Sequence, residues 1–434
     1  METKKISRKP LGNPRRKWRQ DHFVLSTFNG LTNDLEKGLK NAKELGFTMI
    51  ETGWGRTAET DRACLICRDI GLGILTQDVS MMGSFQRPPQ FPKRGFLDEG
   101  RLCEYEKRIS GNPSVRGFYL WDEPVSADEL ADARRQLDVF EERFPGLLGF
   151  TVAYPHYGGK IAACGMDFVS YIHRFVKELS PAVFSIDLYP FDSEDWHTRR
   201  ETSGYQLDEH LFYRDLGLLR KLALEQGAPL WYYFQAQDGP AKYRYGDFSA
   251  EKLRMTMNLG LLHGTAGLQS YNIFDSALLR SGEKGPLFDA TKEQNRRALA
   301  YGEVMMALRS LSVCHSEGVL KNDSYYQTVI RDRLEDSPVF AGTVPEHFSV
   351  GEFCDCEGNR YAFIMNRDYE RTVCGRLVLR GEYRIYEVSG IDGSQRVICG
   401  NTRELRLELA AGDAVFYRLQ RSEETPFLIE YELG

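Results

Sequence analysis

The apolar runs in the first 310 or so residues each end in polar or aromatic side chains. These end residues are Asn29; Glu51, Gly53 and Trp54; Gln77 and Asp78; Trp121, Asp122 and Glu123; Tyr154 and His156; Asp187, Tyr189 and Pro190; Gln235, Gln237 and Asp238; and Tyr271, Asn272 and Asp275. Carboxyl groups can transfer protons, amides and acids can bind hydroxyl groups, and aromatic faces stack on sugar C–H surfaces. The residue types therefore suit a carbohydrate, provided that the fold gathers the ends of the runs.

Eight apolar runs alternate with longer amphipathic stretches, which predicts eight strands with a helical segment after each. The runs are 23–28, 47–51, 72–77, 115–121, 147–154, 183–188, 230–236 and 267–273. Ser126 and Glu129 have the spacing of a capping box, and Gly46 and Gly71 stand where helices commonly stop. Alternation of this kind implies parallel pairing, and eight units predict a (β/α)8 barrel. The alternative is an open doubly wound sheet, but no glycine-rich phosphate loop follows the first run.

In a (β/α)8 barrel the segments that follow the strands form the active site at the C-terminal end of the barrel. We therefore predict that several of the end residues contact a substrate. They are Glu51, Trp54, Asp78, Asp122, Tyr154, His156, Tyr189, Gln235, Gln237, Tyr271 and Asn272. The alternative for the aromatic rings is packing beneath the loops, and the alternative for His156 is a loop position without a role in binding or proton transfer. No metal-ligand spacing, serine elbow or Cys–His arrangement stands out.

The segment Gly117-Phe-Tyr-Leu-Trp-Asp-Glu-Pro124 closes the fourth predicted strand. A fourth strand that ends in Asn-Glu-Pro or Asp-Glu-Pro resembles the acid/base motif of the large clan of (β/α)8 glycoside hydrolases that includes the family 42 β-galactosidases. The stretch 187–190 and the segments 351–368 and 411–416 are similar to relatives from gut bacteria that carry a C-terminal β-sandwich. The resemblance covers most of the chain.

The resemblance implies a glycosidase in which Glu123 is the general acid that protonates the leaving oxygen. Asp122 stands where the clan more often has an Asn that bonds the 2-hydroxyl of the sugar. An Asp can still accept that bond, but it adds charge. The alternative for Glu123 is a cap on the following helix, because Pro124 suits the first helical position.

The second carboxylate of the implied mechanism is not at its usual place. Retaining members carry a Glu nucleophile at the end of the seventh strand, where this chain has Gln235 and Gln237. A neutral amide cannot replace a carboxylate in attack on the anomeric carbon. Asp187, Asp238 and Glu51 are the candidates, and we favour Asp187 because it closes a clean apolar strand. A structural role for Asp187 in bonding loop amides stays open, as does a non-hydrolytic carbohydrate-binding protein on the same scaffold.

We predict three parts of the chain: a basic arm over 1–19, the barrel over 20–312 and a small antiparallel β-sandwich over 313–434. Short alternating segments predict the strands of the sandwich at 325–330, 348–354, 361–364, 376–379, 383–388, 405–409 and 414–419. The arm is interpreted as a tail that is solvated or lies on the barrel, with a partner contact as the alternative.

The composition is that of an ordinary globular protein. The 434 residues carry 56 Lys and Arg against 62 Asp and Glu, a net charge of -6, which argues against nucleic acid as a partner. No apolar run is long enough to span a membrane, and no apolar stretch follows the basic N-terminus as a secretory signal requires. The nine cysteines, including Cys64-x-x-Cys67, are interpreted as reduced core thiols, which indicates a cytoplasmic protein. We expect no cofactor and no metal, a carbohydrate as substrate, and a second copy of the chain as the only other partner to consider.

Overall fold

The computed structural model describes residues 1–28, 30–53, 57–77, 83–84, 99–156, 159–191, 209–236, 248–271, 273–320 and 323–434. A first strand, β1 (Glu2–Arg8), precedes nine further strands of the first domain. They are β2 (Val24–Thr27), β3 (Met49–Glu51), β4 (Gly73–Thr76), β5 (Gly83–Ser84), β6 (Val115–Asp122), β7 (Leu148–Val152), β8 (Phe184–Leu188), β9 (Leu230–Gln235) and β10 (Gly267–Tyr271). All of these nine except the two-residue β5 lie within one residue of the eight predicted runs.

Helices connect these strands. The described ones are α1 (Leu35–Glu44), α2 (Thr57–Ile70), α3 (Glu99–Ile109), α4 (Ala127–Arg143), α5 (Gly159–Ala163), α6 (Phe168–Leu179), α7 (Glu209–Gln226), α8 (Ala250–Leu262) and α9 (Phe288–Met305). The predicted capping box is present at the start of α4, where Ser126 and Glu129 each bond the backbone of the other. None of the helices that the structure describes is long and apolar enough to cross a membrane.

The strands form two parallel sheets that close on each other. One sheet has the order β2-β10-β9-β8, and in the other β3, β4, β6 and β7 are neighbours in turn. The Thr48 amide donates to the Leu25 carbonyl across one seam (2.9 Å), and the Ala153 amide donates to the Ser185 carbonyl across the other (2.8 Å). The predicted (β/α)8 barrel is therefore confirmed, and the open doubly wound sheet is excluded.

The second domain is built on an antiparallel sheet of seven strands. Its segments are β11 (Arg309–His315), β12 (Phe340–Ala341), β13 (Phe348–Cys354), β14 (Arg360–Asn366), β15 (Val373–Val388), β16 (Gln395–Leu409), β17 (Ala414–Arg421) and β18 (Phe427–Leu433), of which β18 lies outside this sheet. The order is β11-β13-β14-β17-β15-β12, and β16 pairs with β15. The antiparallel domain is confirmed, although the segments predicted at 376–379 and 383–388 are one continuous strand.

The strand predicted at 325–330 is wrong, because this segment forms a π-helix over Tyr326–Ile330. Its β-branched residues favour a strand, but the two side chains that the fold buries, Tyr326 and Ile330, stand four residues apart. Four-residue spacing places side chains on one face of a helix, so tertiary packing overrides the local propensity.

The antiparallel sheet is buried on both faces. Along β14, Tyr361, Phe363 and Met365 join the barrel core, whereas the alternate residues Ala362 and Ile364 join a core within the second domain. Gly351 on β13 lies so close to α8 that a Cβ there would be 2.5 Å from the Leu262 carbonyl oxygen. The backbone of β13 in the β domain therefore packs directly against helix α8 of the barrel.

The basic arm is folded. β1 pairs in parallel with β18, so the two ends of the described chain form one ribbon. The buried Arg16 donates to the carbonyl oxygens of Leu179 (2.6 Å) and Ser180 (2.7 Å) and pairs with Asp138 (2.6 Å). The arm therefore lies on the barrel, where the Arg16 guanidinium group binds carbonyl oxygens and a carboxylate of the barrel.

The nine cysteines are free thiols, and only some of them belong to a core. Cys64, Cys67 and Cys314 are buried, and burial raises the pKa of each to about 12, which keeps them protonated and unreactive. Exposed thiols are found at Cys164, Cys356, Cys374 and Cys399. The prediction of core thiols is wrong for these four, three of which (Cys356, Cys374 and Cys399) lie in the β domain.

Candidate active site

Three carboxyl groups lie together at the C-terminal end of the barrel. Asp122 is the last residue of β6, Glu123 follows it directly, and Asp187 lies one residue before the end of β8. Burial raises the pKa of Glu123 well above its ordinary range, and the charges of Asp187 and Asp122 raise it further. Burial, followed by the charge of Asp122, raises the pKa of Asp187 to about 7. Because one carboxyl charge raises the pKa of another only over a short separation, the structure brings the predicted pair Glu123 and Asp187 into one site.

The backbone of Glu123 is held in an unusual conformation. Its φ is +51°, in the left-handed region that residues other than glycine seldom adopt. The Lys160 ammonium group donates to the Glu123 carbonyl oxygen (2.9 Å), and the Tyr171 hydroxyl donates to the carbonyl oxygen of Pro124 (3.0 Å). Helix α4 takes its N-cap from Ser126, so the capping alternative for Glu123 is wrong.

Asp122 is fixed by its own strand. The Tyr119 hydroxyl donates to Oδ1 of Asp122 (2.9 Å), although residues three apart on a regular strand point to opposite faces. The register of β6 against β7 shifts between Tyr119 and Trp121, and this irregularity brings the two side chains to one side. Asp122 is partly exposed, so its carboxyl group is accessible from the site.

Asp187 retains an open acceptor. Its Oδ1 is buried and has no hydrogen-bond partner among the residues that the structure describes. A hydrogen bond from the Tyr189 side chain lowers the pKa of Asp187 against the stronger effects that raise it. A buried oxygen without a donor is costly unless a ligand or a proton occupies it, so this atom is a candidate contact for substrate.

Aromatic rings line the same end of the barrel. Tyr189 and Tyr271 stack with their centroids 4.8 Å apart, and Phe28 lies 5.6 Å from Tyr271. Burial, followed by the charges of Glu123 and Asp187, raises the pKa of Tyr154 to about 12, which places Tyr154 beside the carboxyl cluster. Tyr154 and Tyr271 are partly exposed, whereas Tyr189 is 8% exposed and mostly packed.

Glu51 is the last residue of β3 and lies in the barrel interior. It has no exposed surface, and its oxygens accept hydrogen bonds from Ser26 (2.7 Å), Gln269 (2.8 Å) and the Tyr233 hydroxyl. Burial raises the pKa of Glu51, and these three donors lower it. With no surface of its own, Glu51 supports the barrel interior in this structure and does not present an oxygen to a ligand.

Gln235, at the position where the resemblance implies a nucleophile, bonds backbone instead. Its Oε1 accepts from the Phe191 amide (2.9 Å), and its Nε2 donates to the Phe191 carbonyl oxygen (2.5 Å). Gln235 is 1% exposed. The glutamine thus connects the end of β9 to the segment that follows β8.

His156 faces a helix. Its Nδ1 pairs with Asp215 on α7, which is fully buried and also accepts from Nε of Arg214 (2.8 Å). A carboxylate partner of this kind fixes the orientation and tautomer of an imidazole ring. The structure therefore ties His156 to the helix layer, whereas the prediction gave it a substrate contact.

Several predicted residues fall outside the described part of the chain. They are Asn29, Trp54, Asp78, Gln237, Asp238 and Asn272. Conversely, Tyr119, Lys160 and Tyr171 take part in the site but were not found from the sequence. Lys160 and Tyr171 lie on helices after β7, where no strand end draws attention to them. Within the described ranges, no group of three His, Cys, Asp or Glu side chains is arranged to hold a metal ion.

The described geometry defines the class: a (β/α)8 barrel with a carboxyl cluster at its C-terminal end and an antiparallel β domain after it. No protein-family model and no curated protein matches the chain by sequence. Solved structures do match by fold. A proposed α-galactosidase from Bacteroides fragilis has a TM-score of 0.54 and 11% identity over 93% of this chain and 79% of that one.

Two fungal enzymes have the same architecture. The α-galactosidase of Saccharomyces cerevisiae has a TM-score of 0.52 and 9% identity, covering 92% of this chain and 97% of its own. The α-galactosidase I of Mortierella vinacea also has a TM-score of 0.52 and 9% identity, covering 93% and 98%. At these identities the likeness shows the fold alone. The likeness to family 42 β-galactosidases stays a prediction.

Proposed function

We propose that the protein is a glycoside hydrolase that acts on a small oligosaccharide or glycoside. One observation carries this proposal: Glu123, directly after β6, and Asp187, on β8, meet at the C-terminal end of the barrel, where the charge of Asp187 raises the pKa of Glu123. Hydrolysis of a glycosidic bond needs one protonated and one ionised carboxyl group beside the bond. Two neighbouring carboxyl groups whose charges repel favour this singly ionised state.

Glu123 is the proton donor in this proposal. We assign the proton to Glu123 because the charge of an ionised Asp187 raises the pKa of Glu123. As the glycosidic C–O bond breaks, the Glu123 proton passes to the leaving oxygen and the bonding electrons leave with that oxygen. Asp187 then either bonds to the anomeric carbon or takes a proton from the water that does so.

The substrate contacts combine rings and acceptors. Tyr154 and Tyr271 offer partly exposed aromatic faces, and Asp122 offers an acceptor for a sugar hydroxyl group. Trp54, Asp78, Gln237 and Asn272, which lie outside the described residues, are further contacts in this proposal. Because the three structural neighbours with a TM-score above 0.5 reported above are described as α-galactosidases, α-galactosides are the first compounds to test.

A screen of aryl glycosides in both anomeric series tests the proposal. Wild type is compared with Glu123→Gln and with Glu352→Gln, a matched control because Glu352 is also buried but accepts from Ser312 and Ser337 in the β domain. We expect activity in wild type and in the control and its loss in Glu123→Gln. Equal activity in all three proteins would remove Glu123 from the mechanism. NMR of the first-formed anomer then assigns retention or inversion.

A non-hydrolytic carbohydrate-binding protein is the second candidate. The neutral Gln235 at the end of β9 favours it, because the usual nucleophile is missing there. Calorimetric titration with the reducing sugars of the same panel separates the two functions. Binding by a wild-type protein that turns over no glycoside establishes the second candidate, and turnover excludes it.

A further inference from the structure

The backbone that follows Asp187 is held by hydrogen bonds at Phe191. Gln235 bonds both the amide and the carbonyl group of Phe191, at 2.9 and 2.5 Å. These two hydrogen bonds satisfy the backbone amide and carbonyl groups of Phe191, as a neighbouring strand would. Since Phe191 is four residues after Asp187, Gln235 limits the positions that the segment between them can adopt.

The Phe191 side chain is held from the other domain. The ring of Tyr369, in the turn between β14 and β15, lies edge-on against it, with centroids 4.9 Å apart and planes at 81°. The Lys252 ammonium group lies 5.3 Å from the Phe191 ring and 5.7 Å from the Tyr369 ring. Edge-to-face and cation–π contacts depend on the relative orientation of the groups, so these contacts fix the orientation of the Phe191 ring as well as bury it.

The turn that carries Tyr369 is itself ordered by hydrogen bonds. Asp368 Oδ1 accepts from the amides of Glu370 (2.9 Å) and Arg371 (3.0 Å), and the Gly412 amide donates to the Asp368 carbonyl oxygen (2.8 Å). The Gly412 carbonyl oxygen in turn accepts from Asn258 on α8 (2.9 Å). The turn is therefore bonded to a barrel helix as well as to its own domain.

We propose that Tyr369 and Gln235 are positioning residues for Asp187, so that the β domain takes part in building the active site. The Tyr189 side chain hydrogen-bonds the Asp187 carboxyl group, whose Oδ1 has no donor among the described residues, so the backbone from Asp187 to Phe191 sets the positions of both partners. The position of this backbone depends on Phe191. Gln235 hydrogen-bonds the main chain of Phe191, and Tyr369 contacts the Phe191 ring. The catalytic part of this inference rests on the proposed function. The mechanical part does not.

The test compares Tyr369→Ala and Tyr369→Phe with wild type. Hydrogen–deuterium exchange of the peptide that contains residues 184–191 reports the mechanical part. We expect exchange at least about tenfold faster in Tyr369→Ala and unchanged in Tyr369→Phe, which keeps the ring. On the best glycoside of the panel we expect kcat to fall about tenfold in Tyr369→Ala with KM changed less than about twofold, because displacement of a reacting group affects the chemical step.

Tyr383→Ala is the control, since Tyr383 belongs to the separate core of the β domain. An equal loss of kcat in Tyr383→Ala, or Tyr369→Ala with wild-type exchange or wild-type kcat, overturns the inference. If wild type hydrolyses no glycoside, the proposed function fails while the exchange experiment still decides whether Tyr369 holds the segment.

Discussion

Glu51 and Glu123 are both buried glutamates at the C-terminal ends of barrel strands, and their surroundings are opposite. Three neutral donors from Ser26, Gln269 and Tyr233 bond the oxygens of Glu51. Glu123 instead has the negative charges of Asp122 and Asp187 as neighbours. Burial raises the pKa of both glutamates, so burial alone does not separate a supporting residue from a reacting one. The polar neighbours do, because donors stabilise the anion and carboxylates stabilise the protonated form.

Glu123 and Glu51 also differ in backbone conformation. Glu123 is held at φ +51° by contacts from other elements, whereas Glu51 ends an ordinary strand. Repulsion and a left-handed backbone both cost stability, and such costs concentrate where side chains react. Substitutions at the two sites should therefore separate into losses of activity and losses of stability.

The largest expected effect is the loss of activity in Glu123→Gln. The amide cannot donate the proton, so kcat/KM on an unactivated glycoside should fall by about 10²–10⁴. The melting temperature should stay the same or rise, because a buried carboxyl group that repels two others is removed. Steady-state kinetics and thermal melting check this, and a stable variant with more than half of the wild-type activity contradicts it.

The next effect is the loss of stability in Glu51→Ala. Removal of this carboxyl group leaves three buried donors without an acceptor, which should lower the free energy of unfolding by about 3 kcal/mol or more. Urea denaturation measures it. Glu51→Gln, which retains one acceptor oxygen, should recover part of the loss. If Glu51→Ala unfolds at the same urea concentration as wild type, Glu51 does not support the barrel interior.

A smaller effect is expected on the pH profile of Asp122→Asn. In wild type, kcat/KM should rise as Asp187 ionises near pH 7 and fall at higher pH as Glu123 loses its proton. Because the charge of Asp122 raises both pKa values, its neutralisation should move both limbs to lower pH. The profile of the variant measured beside wild type decides this, and limbs that do not move would show that Asp122 is too distant to matter.

The smallest effect is a pH-dependent gain of stability in Asp187→Asn. The folded pKa of Asp187, about 7, lies above the ordinary value of about 3.9 for an unfolded chain, so its favourable contribution is present at low pH and is lost as the pH rises through 7. The variant should therefore melt about 1–4 °C above wild type at pH 8 and at the same temperature at pH 4. A constant difference at both pH values would mean that ionisation is not the cause.

The sequence predicts the barrel well because each of its strands is a short apolar run between amphipathic helices. It also predicts which residues end the strands, and Asp122, Glu123 and Asp187 are brought together as a barrel requires. What those residues bond is not predicted. Gln235 has the place of a catalytic residue and bonds Phe191, and the bulge that turns Tyr119 towards Asp122 depends on pairing with β7.

Contacts between distant parts of the chain account for the other differences. The pairing of β1 with β18 joins the first and last ten residues, and no local pattern indicates it. Tyr325 to Ile330 carries the composition of a strand but packs as a helix, because Tyr326 and Ile330 are buried together. Packing against another part of the fold overrides the local strand propensity of this segment.

In the proposed mechanism Glu123 donates the proton, and the most direct test is how the loss of activity in Glu123→Gln depends on the leaving group. Wild type and Glu123→Gln are compared on two glycosides of one sugar, one with an alkoxide leaving group and one with a strongly acidic phenol. We predict a large loss on the alkyl glycoside and a small one on the phenyl glycoside, whose phenolate departs without a proton. An equal loss on both, or this selective pattern in Asp187→Asn instead, would contradict it.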